Sequence, residues 1–289
     1  MLDFLSRFGR SPLTKEQREQ LRASAPVNSA GYDPWGLNHE TTERTLRYSR
    51  WLYEDYFRVE TVGAENIPAG RVLLVPNHSG QLPIDGILIA MAMLLEANPP
   101  RIVRGMVERW FPTIPFIGTL FIRCGQVVGD PENCVELLRR EQAIMVFPEG
   151  TRGSGKTWWH RYKLQSFGTG FLRIALQTRS PIVPVAVIGG EETYPAIHNA
   201  AFLARLMGVP YFPVTPFFPL LGPVGMLPLP VRIQIRFGSP LRFMGDWDAP
   251  DDEIAEMVAT VRDAVQEQLD AGLADRPRLR SLTAIAGSP

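Results

Sequence analysis

The residues best suited to chemistry lie in Arg71–Asp85, RVLLVPNHSGQLPID, where an apolar run leads into Asn77 and His78 and then, past Gly80 and Pro83, to Asp85. An unperturbed histidine ionises at about pH 6.5, so a positioned imidazole can take a proton from an attacking hydroxyl near neutral pH. A carboxylate beside it would fix its tautomer and stabilise the imidazolium that forms. A second stretch repeats this design: AIMVFPEGTRGSGKTWW, residues 143–159, passes from an apolar run into Glu149, Gly150, Thr151 and Arg152. The planar fork of an arginine gives a phosphate two parallel charge-assisted hydrogen bonds, which makes Arg152 the candidate clamp of this stretch. Glu149 would repel a phosphate and is expected to hold an arginine or to brace its loop.

These side chains need elements to carry them. The runs VLLV, IVRGM, AIMVF and IVPVAVIG have the length and composition of buried strands, and apolar helical stretches near 85–95, 132–140 and 168–178 separate them. Strands alternating with helices predict an α/β fold with a mostly parallel central sheet flanked by helices. Ligands of such sheets bind outside the carboxyl ends of the strands, so His78 and Glu149–Arg152 would converge there, with Arg104, Glu191 and Glu192 facing the same side. Asp85 is also a favoured residue type for the cap of the helix that follows it.

Residues 1–58 read as a helical N-terminal segment: 11–37 is polar and turn-rich, and Asn38–Phe57 carries a helical apolar pattern. The α/β domain spans 59–272, and 273–289 reads as a flexible tail. Val231–Phe237 alternates apolar residues with Arg232, Gln234 and Arg236, which places a strand with one wet face at a sheet edge. Asp248 is the expected cap of a last helix whose stripe is Ile254, Met257, Val258, Val261 and Val265.

Composition narrows the class. The chain has 289 residues, 45% of them hydrophobic, with 30 basic and 30 acidic side chains and no net charge, so nothing points to nucleic acid. Two cysteines without a CxxC pair suit a reducing compartment and argue against zinc. The N-terminus lacks the long apolar run of a cleaved signal peptide, so a cytoplasmic chain is expected. Leu206–Val231 carries no charged residue yet holds seven prolines, namely 210, 213, 216, 219, 223, 228 and 230, which rules it out as a transmembrane helix. An extended, polyproline-like segment that meets lipid is expected instead.

Four blocks in order, Asn77-His78 with Asp85, Gly118–Arg123 (GTLFIR), Phe147–Arg152 (FPEGTR) and Ile182–Val187 (IVPVAV), resemble those of the glycerolipid acyltransferase family, which includes lysophosphatidic acid acyltransferases. The likeness covers roughly residues 60–240. It implies transfer of an acyl group from acyl-CoA or acyl carrier protein to the hydroxyl of a lysophospholipid-type acceptor, at a membrane lipid surface, with no metal and no cofactor. His78 would be the base, paired with Asp85, and Arg123, Glu149, Gly150, Thr151 and Arg152 would bind substrate. The family pattern has four residues between histidine and aspartate, whereas here Ser79–Ile84 make six. Asp85 therefore either reaches His78 across a bulge or only caps its helix. Gly150, Gly155, Lys156 and Thr157 also fit GxxxxGK[ST], the pattern of a phosphate-binding P-loop, although Pro148 and Glu149 precede the first glycine and Trp158 and Trp159 crowd the helix start. A non-catalytic membrane-binding protein is the other alternative. Nothing in the chain speaks to oligomeric state.

Overall fold

The computed structural model describes residues 13–78, 83–150, 153, 156–200, 202, 204 and 212–276. Thr151 and Arg152, most of the glycine-rich stretch after them, residues 206–211 and 277–289 lie outside the described residues. In chain order the strands are β1 (Glu60–Val62), β2 (Val72–Pro76), β3 (Val103–Val107), β4 (Val127–Val128), β5 (Ala143–Met145), β6 (Ile182–Ile188), β7 (His198–Asn199), β8 (Pro213–Val214) and β9 (Gln234–Phe237). The helices are α1 (Lys15–Ser24), α2 (His39–Trp51), α3 (Ile84–Leu95), α4 (Ile117–Arg123), α5 (Pro131–Arg139), α6 (Gly170–Thr178) and α7 (Asp251–Asp275).

Among the described residues the main sheet runs β1-β9-β6-β2-β5-β3-β4. From β6 to β4 every pairing is parallel, whereas β9 lies antiparallel to β6 and β1 parallel to β9. Successive side chains of a strand point to opposite faces, and both faces here are covered. Val72 and Leu74 of β2 pack with Leu46 of α2 and with Leu88, Ile89 and Met93 of α3. Leu73 and Val75 pack with Leu137 of α5, Leu172 of α6 and Val261 of α7. The N-terminal segment belongs to the first layer, since Leu21, Leu46, Tyr53 and Phe57 are buried in the core that backs the sheet.

Several expectations need correction. The strand read as an edge is internal: β9 sits between β6 and β1, and β1 is the edge. Its alternation misled because α7 covers the polar face, where Gln234 is buried and Arg236 pairs with Asp275 at 2.9 Å. Residues taken as turn-rich include α1, whose start is a capping box: Thr14 accepts from the Gln17 amide at 3.1 Å, and Gln17 accepts from the Thr14 amide at 2.9 Å. Pro250, not Asp248, precedes α7, which runs on to Asp275, past the boundary placed at 272. Pro83, not Asp85, holds the cap position of α3. The described part of the proline-rich stretch is no continuous polyproline run, because Pro213–Val214 pairs with β7 and Gly222–Met226 forms a 3₁₀ turn.

Candidate active site

β2 ends at Pro76, and Asn77 fastens that end to its neighbour. The Asn77 amide oxygen accepts from the Val187 N–H at 2.7 Å, and its amide nitrogen donates to the Val187 carbonyl at 3.2 Å. His78 follows at once, so the histidine is aimed from a clamped strand end. Its Nδ1 lies 2.7 Å from Oδ2 of Asp85, whose Oδ1 accepts from the Gly86 amide at 2.8 Å. The six-residue gap is therefore spanned, and Asp85, 2% exposed in the first turn of α3, is the partner of His78. Burial pushes the imidazole pKa down, but the charge and hydrogen bond of Asp85, helped by Glu149, outweigh it and hold the pKa above the ordinary value of about 6.5. The Phe147 ring lies 4.4 Å from the His78 ring and covers one side of it.

Glu149, fully inside, braces the loop as expected: it accepts from the His78 amide at 2.9 Å and from the Gln165 amide at 2.8 Å. The cation it holds is a lysine and not an arginine. Lys156 Nζ lies 2.8 Å from Glu149 and 3.3 Å from Glu191, and it donates to the His78 carbonyl at 3.4 Å. Lys156 is therefore engaged internally, whereas the lysine of a P-loop must reach phosphate, so the GxxxxGK[ST] pattern is not used as a P-loop here. Glu191 also accepts from the Tyr162 amide, and burial raises its pKa against the pull of Lys156. A charged cluster buried beside the histidine thus ties β2, β5 and β6 together at their carboxyl ends.

Gly150 and His78 line a cavity of about 330 Å³, within the usual range for ligand sites, whose other walls come from α3, β3, β5 and the segment from Trp110 to Phe121. Ile87, Val107, Phe111 and Phe121 make much of the wall apolar, and Glu108 and Gln126 add polar groups. Gly153 explains why the loop after Gly150 can close on the histidine: a Cβ there would meet the Cβ of His78 at 2.7 Å.

Other candidates lie apart. Arg123, in the last turn of α4, is exposed, 6.0 Å from the centre of the Tyr32 ring, and does not line the cavity. Arg104 is wholly buried within β3, ion-paired to Asp33 and 5.7 Å from the centre of the Trp35 ring, so it anchors the N-terminal segment and does not face the site. Glu192 accepts from the Tyr162 hydroxyl at 2.5 Å and pairs with Arg276. The Lys156–Glu191 pairing and the cavity wall from 110 to 121 were missed by sequence reasoning. Neither leaves a local pattern, because each depends on strands brought side by side.

A strand-end His–Asp dyad opening on a largely apolar cavity could take a proton from a hydroxyl held beside an apolar substrate. The Acyltransferase family profile matches residues 58–188. An uncharacterised protein of Mycobacterium leprae is 38% identical over 265 residues, covering 90% of this chain and 71% of that one. A probable 1-acyl-sn-glycerol-3-phosphate acyltransferase of Mycoplasma pneumoniae is 32% identical over 149 residues, 49% of this chain and 53% of that one. The crystal structure of the 1-acyl-sn-glycerophosphate acyltransferase PlsC from Thermotoga maritima shares the fold with a TM-score of 0.52 and 22% identity, covering 82% of this chain and 80% of that one. The chain belongs to the acyltransferase family and is an enzyme of the O-acyl transfer class.

Proposed function

We propose that this enzyme moves a fatty acyl group from an acyl thioester, acyl-CoA or acyl carrier protein, to a hydroxyl of a glycerolipid acceptor such as lysophosphatidic acid. The observation that carries this reading is the His78–Asp85 contact of 2.7 Å at an apolar cavity of about 330 Å³. Asp85 engages Nδ1, which leaves Nε2 to accept the acceptor's hydroxyl proton as its oxygen attacks the thioester carbonyl. The carbon–sulfur bond then breaks, and the thiolate leaves with the proton returned by the imidazolium. Direct transfer is expected, since no GxSxG elbow is present and the two cysteines are far from thiolate character, burial pushing both thiols up.

In this reading Gly150, Thr151 and Arg152 hold the acceptor, whereas Arg123 lies away from the cavity. The names of the Mycoplasma and Thermotoga relatives support a phosphorylated acceptor. In this reading the membrane is met at its cytoplasmic face. Among the described residues no helix is long and apolar enough to cross a bilayer. Leu220, Leu221, Val224 and Leu227, all exposed in the proline-rich stretch, support a lipid-facing surface.

Thioester consumption by the purified protein with lysophosphatidic acid and with monoacylglycerol is the direct test. Arg152→Ala should impair the phosphorylated acceptor more than the neutral one, whereas equal losses on both would remove the phosphate role. Nucleotide hydrolysis without acyl transfer, indifferent to His78→Ala, would defeat the whole reading.

A further inference from the structure

Two apolar surfaces flank the strand that carries His78. β3 delivers the chain at Val107 to the turn Phe111–Thr113 and to α4, and β6 delivers it at Ile188 to the segment that ends with the exposed leucines around 220. Because β2, β3 and β6 run parallel in one sheet, both excursions leave the end of the sheet at which His78 sits. In the strand order β6 lies on one side of β2, and β5 and β3 on the other.

On the β3 side Phe116 is 91% exposed, and Ile117, Leu120 and Trp110 stand out with it. This display is built. Phe116 has φ 62° and ψ −48°, with the Ile117 amide donating to the Pro115 carbonyl at 2.6 Å. That is the strained form of the γ-turn, which a phenylalanine adopts only where its surroundings impose it. Gly118 supplies the restraint: a Cβ there would meet the Pro112 carbonyl oxygen at 2.5 Å, so α4 is pressed against the preceding turn. The inward face of the same segment, through Phe111 and Phe121, is cavity wall. Between Arg109, which pairs with Asp130 at 3.0 Å at the surface, and Arg123, beside the Tyr32 ring, both exposed, the sequence WFPTIPFIGTLFI carries no acidic residue.

We propose that Trp110–Arg123 is a membrane wedge: Phe116, Ile117 and Leu120 enter an anionic bilayer, the two arginines meet lipid phosphates, and the wedge's inner face joins the hydrocarbon to the His78 cavity. It rests on the lipid acyl-transfer reading above and specifies where the substrate chain enters. An acyl chain following this route passes from bilayer to cavity without exposing its methylenes to water. Aromatic residues bracketed by arginines suit the interfacial zone of a bilayer.

The test uses full-length protein, vesicles of phosphatidylglycerol and phosphatidylcholine, and Phe116→Glu and Leu120→Glu, singly and together. Both side chains are exposed, so far-UV circular dichroism and thermal melting should match the wild type. Sedimentation with vesicles should fall at least about tenfold in the double variant. Acyl transfer to vesicle-borne acceptor should fall in parallel, with rates on short-chain, monomeric substrates unchanged. His78→Ala should bind vesicles normally while inactive. If the wild type binds through Phe116 yet acylates no glycerolipid, the functional reading fails and the wedge stands. Undiminished vesicle binding by the double variant overturns the wedge, and so does a dimer-to-monomer change in light scattering with vesicle binding retained, which would assign the patch to a second copy of the chain.

Discussion

At the scale of single residues, the charge on Asp85 does more than orient a ring. In the proposed mechanism His78 must be neutral to act as the base, and its pKa is held above about 6.5 by Asp85 and Glu149 against the opposing effect of burial. Activity should therefore rise with pH through a midpoint above that value. Asp85→Asn keeps a hydrogen-bond acceptor but removes the charge, so the midpoint should move to lower pH while the plateau rate drops by roughly 10²- to 10⁴-fold. Linked to folding, a raised histidine pKa contributes stability that is complete below the unfolded value and lost as pH rises through the folded one. Unfolding by urea should accordingly show Asp85→Asn losing more stability at about pH 5 than at about pH 8. A kcat/KM profile with an unmoved acidic limb would show that Asp85 does not set the base strength.

At the scale of elements, the site depends on one close approach between two strand ends. The loop after β5 can lie against His78 because position 153 is glycine. In Gly153→Ala the new methyl would meet the His78 Cβ and the Glu149 Cβ, at 2.7 and 2.8 Å from the ideal position. Either the loop or the histidine must shift, and a misplacement of about 1 Å costs on the order of 10²-fold in rate. Steady-state kinetics should show this loss mainly in kcat, with only a small change in melting temperature. An alanine variant of wild-type activity would mean that the loop relaxes away from the histidine without consequence. The Glu149–Lys156–Glu191 cluster belongs to this scale too, since it joins the ends of three adjacent strands and holds the backbone of His78.

At the scale of the molecule, the N-terminal segment is part of the fold and is fastened by a buried charge. Asp33 accepts from the amides of Trp35 and Leu37 at 2.9 and 2.8 Å and pairs with Arg104, whose Nε and Nη1 find no partner among the described residues. Breaking a buried pair strands the remaining charge at a cost of about 3–5 kcal/mol. Asp33→Ala should lose that much in denaturant unfolding, with the rate per folded molecule preserved because Arg104 lies away from the cavity. A loss under about 1 kcal/mol would mean that the guanidinium escapes to solvent.

Apolar runs bounded by turns recorded most of the fold. VLLV, AIMVF and IVPVAVIG each contain a strand buried on both faces, and such runs are visible because burial on both sides requires continuous apolar sequence. FPEGTR and Asn-His marked the strand ends that meet, since two polar loops leaving parallel strands in the same sense must share one end of the sheet. The tertiary structure alone decided the rest. Arg236 looked wet because its partner Asp275 is 39 residues away, and the pairing of Lys156 with Glu191 spans 35 residues. Asp85 was ambiguous until the chain was seen to bring it to His78. Periodicity reports what each residue loses to burial locally, whereas which charge neutralises which is settled only when distant strands lie side by side.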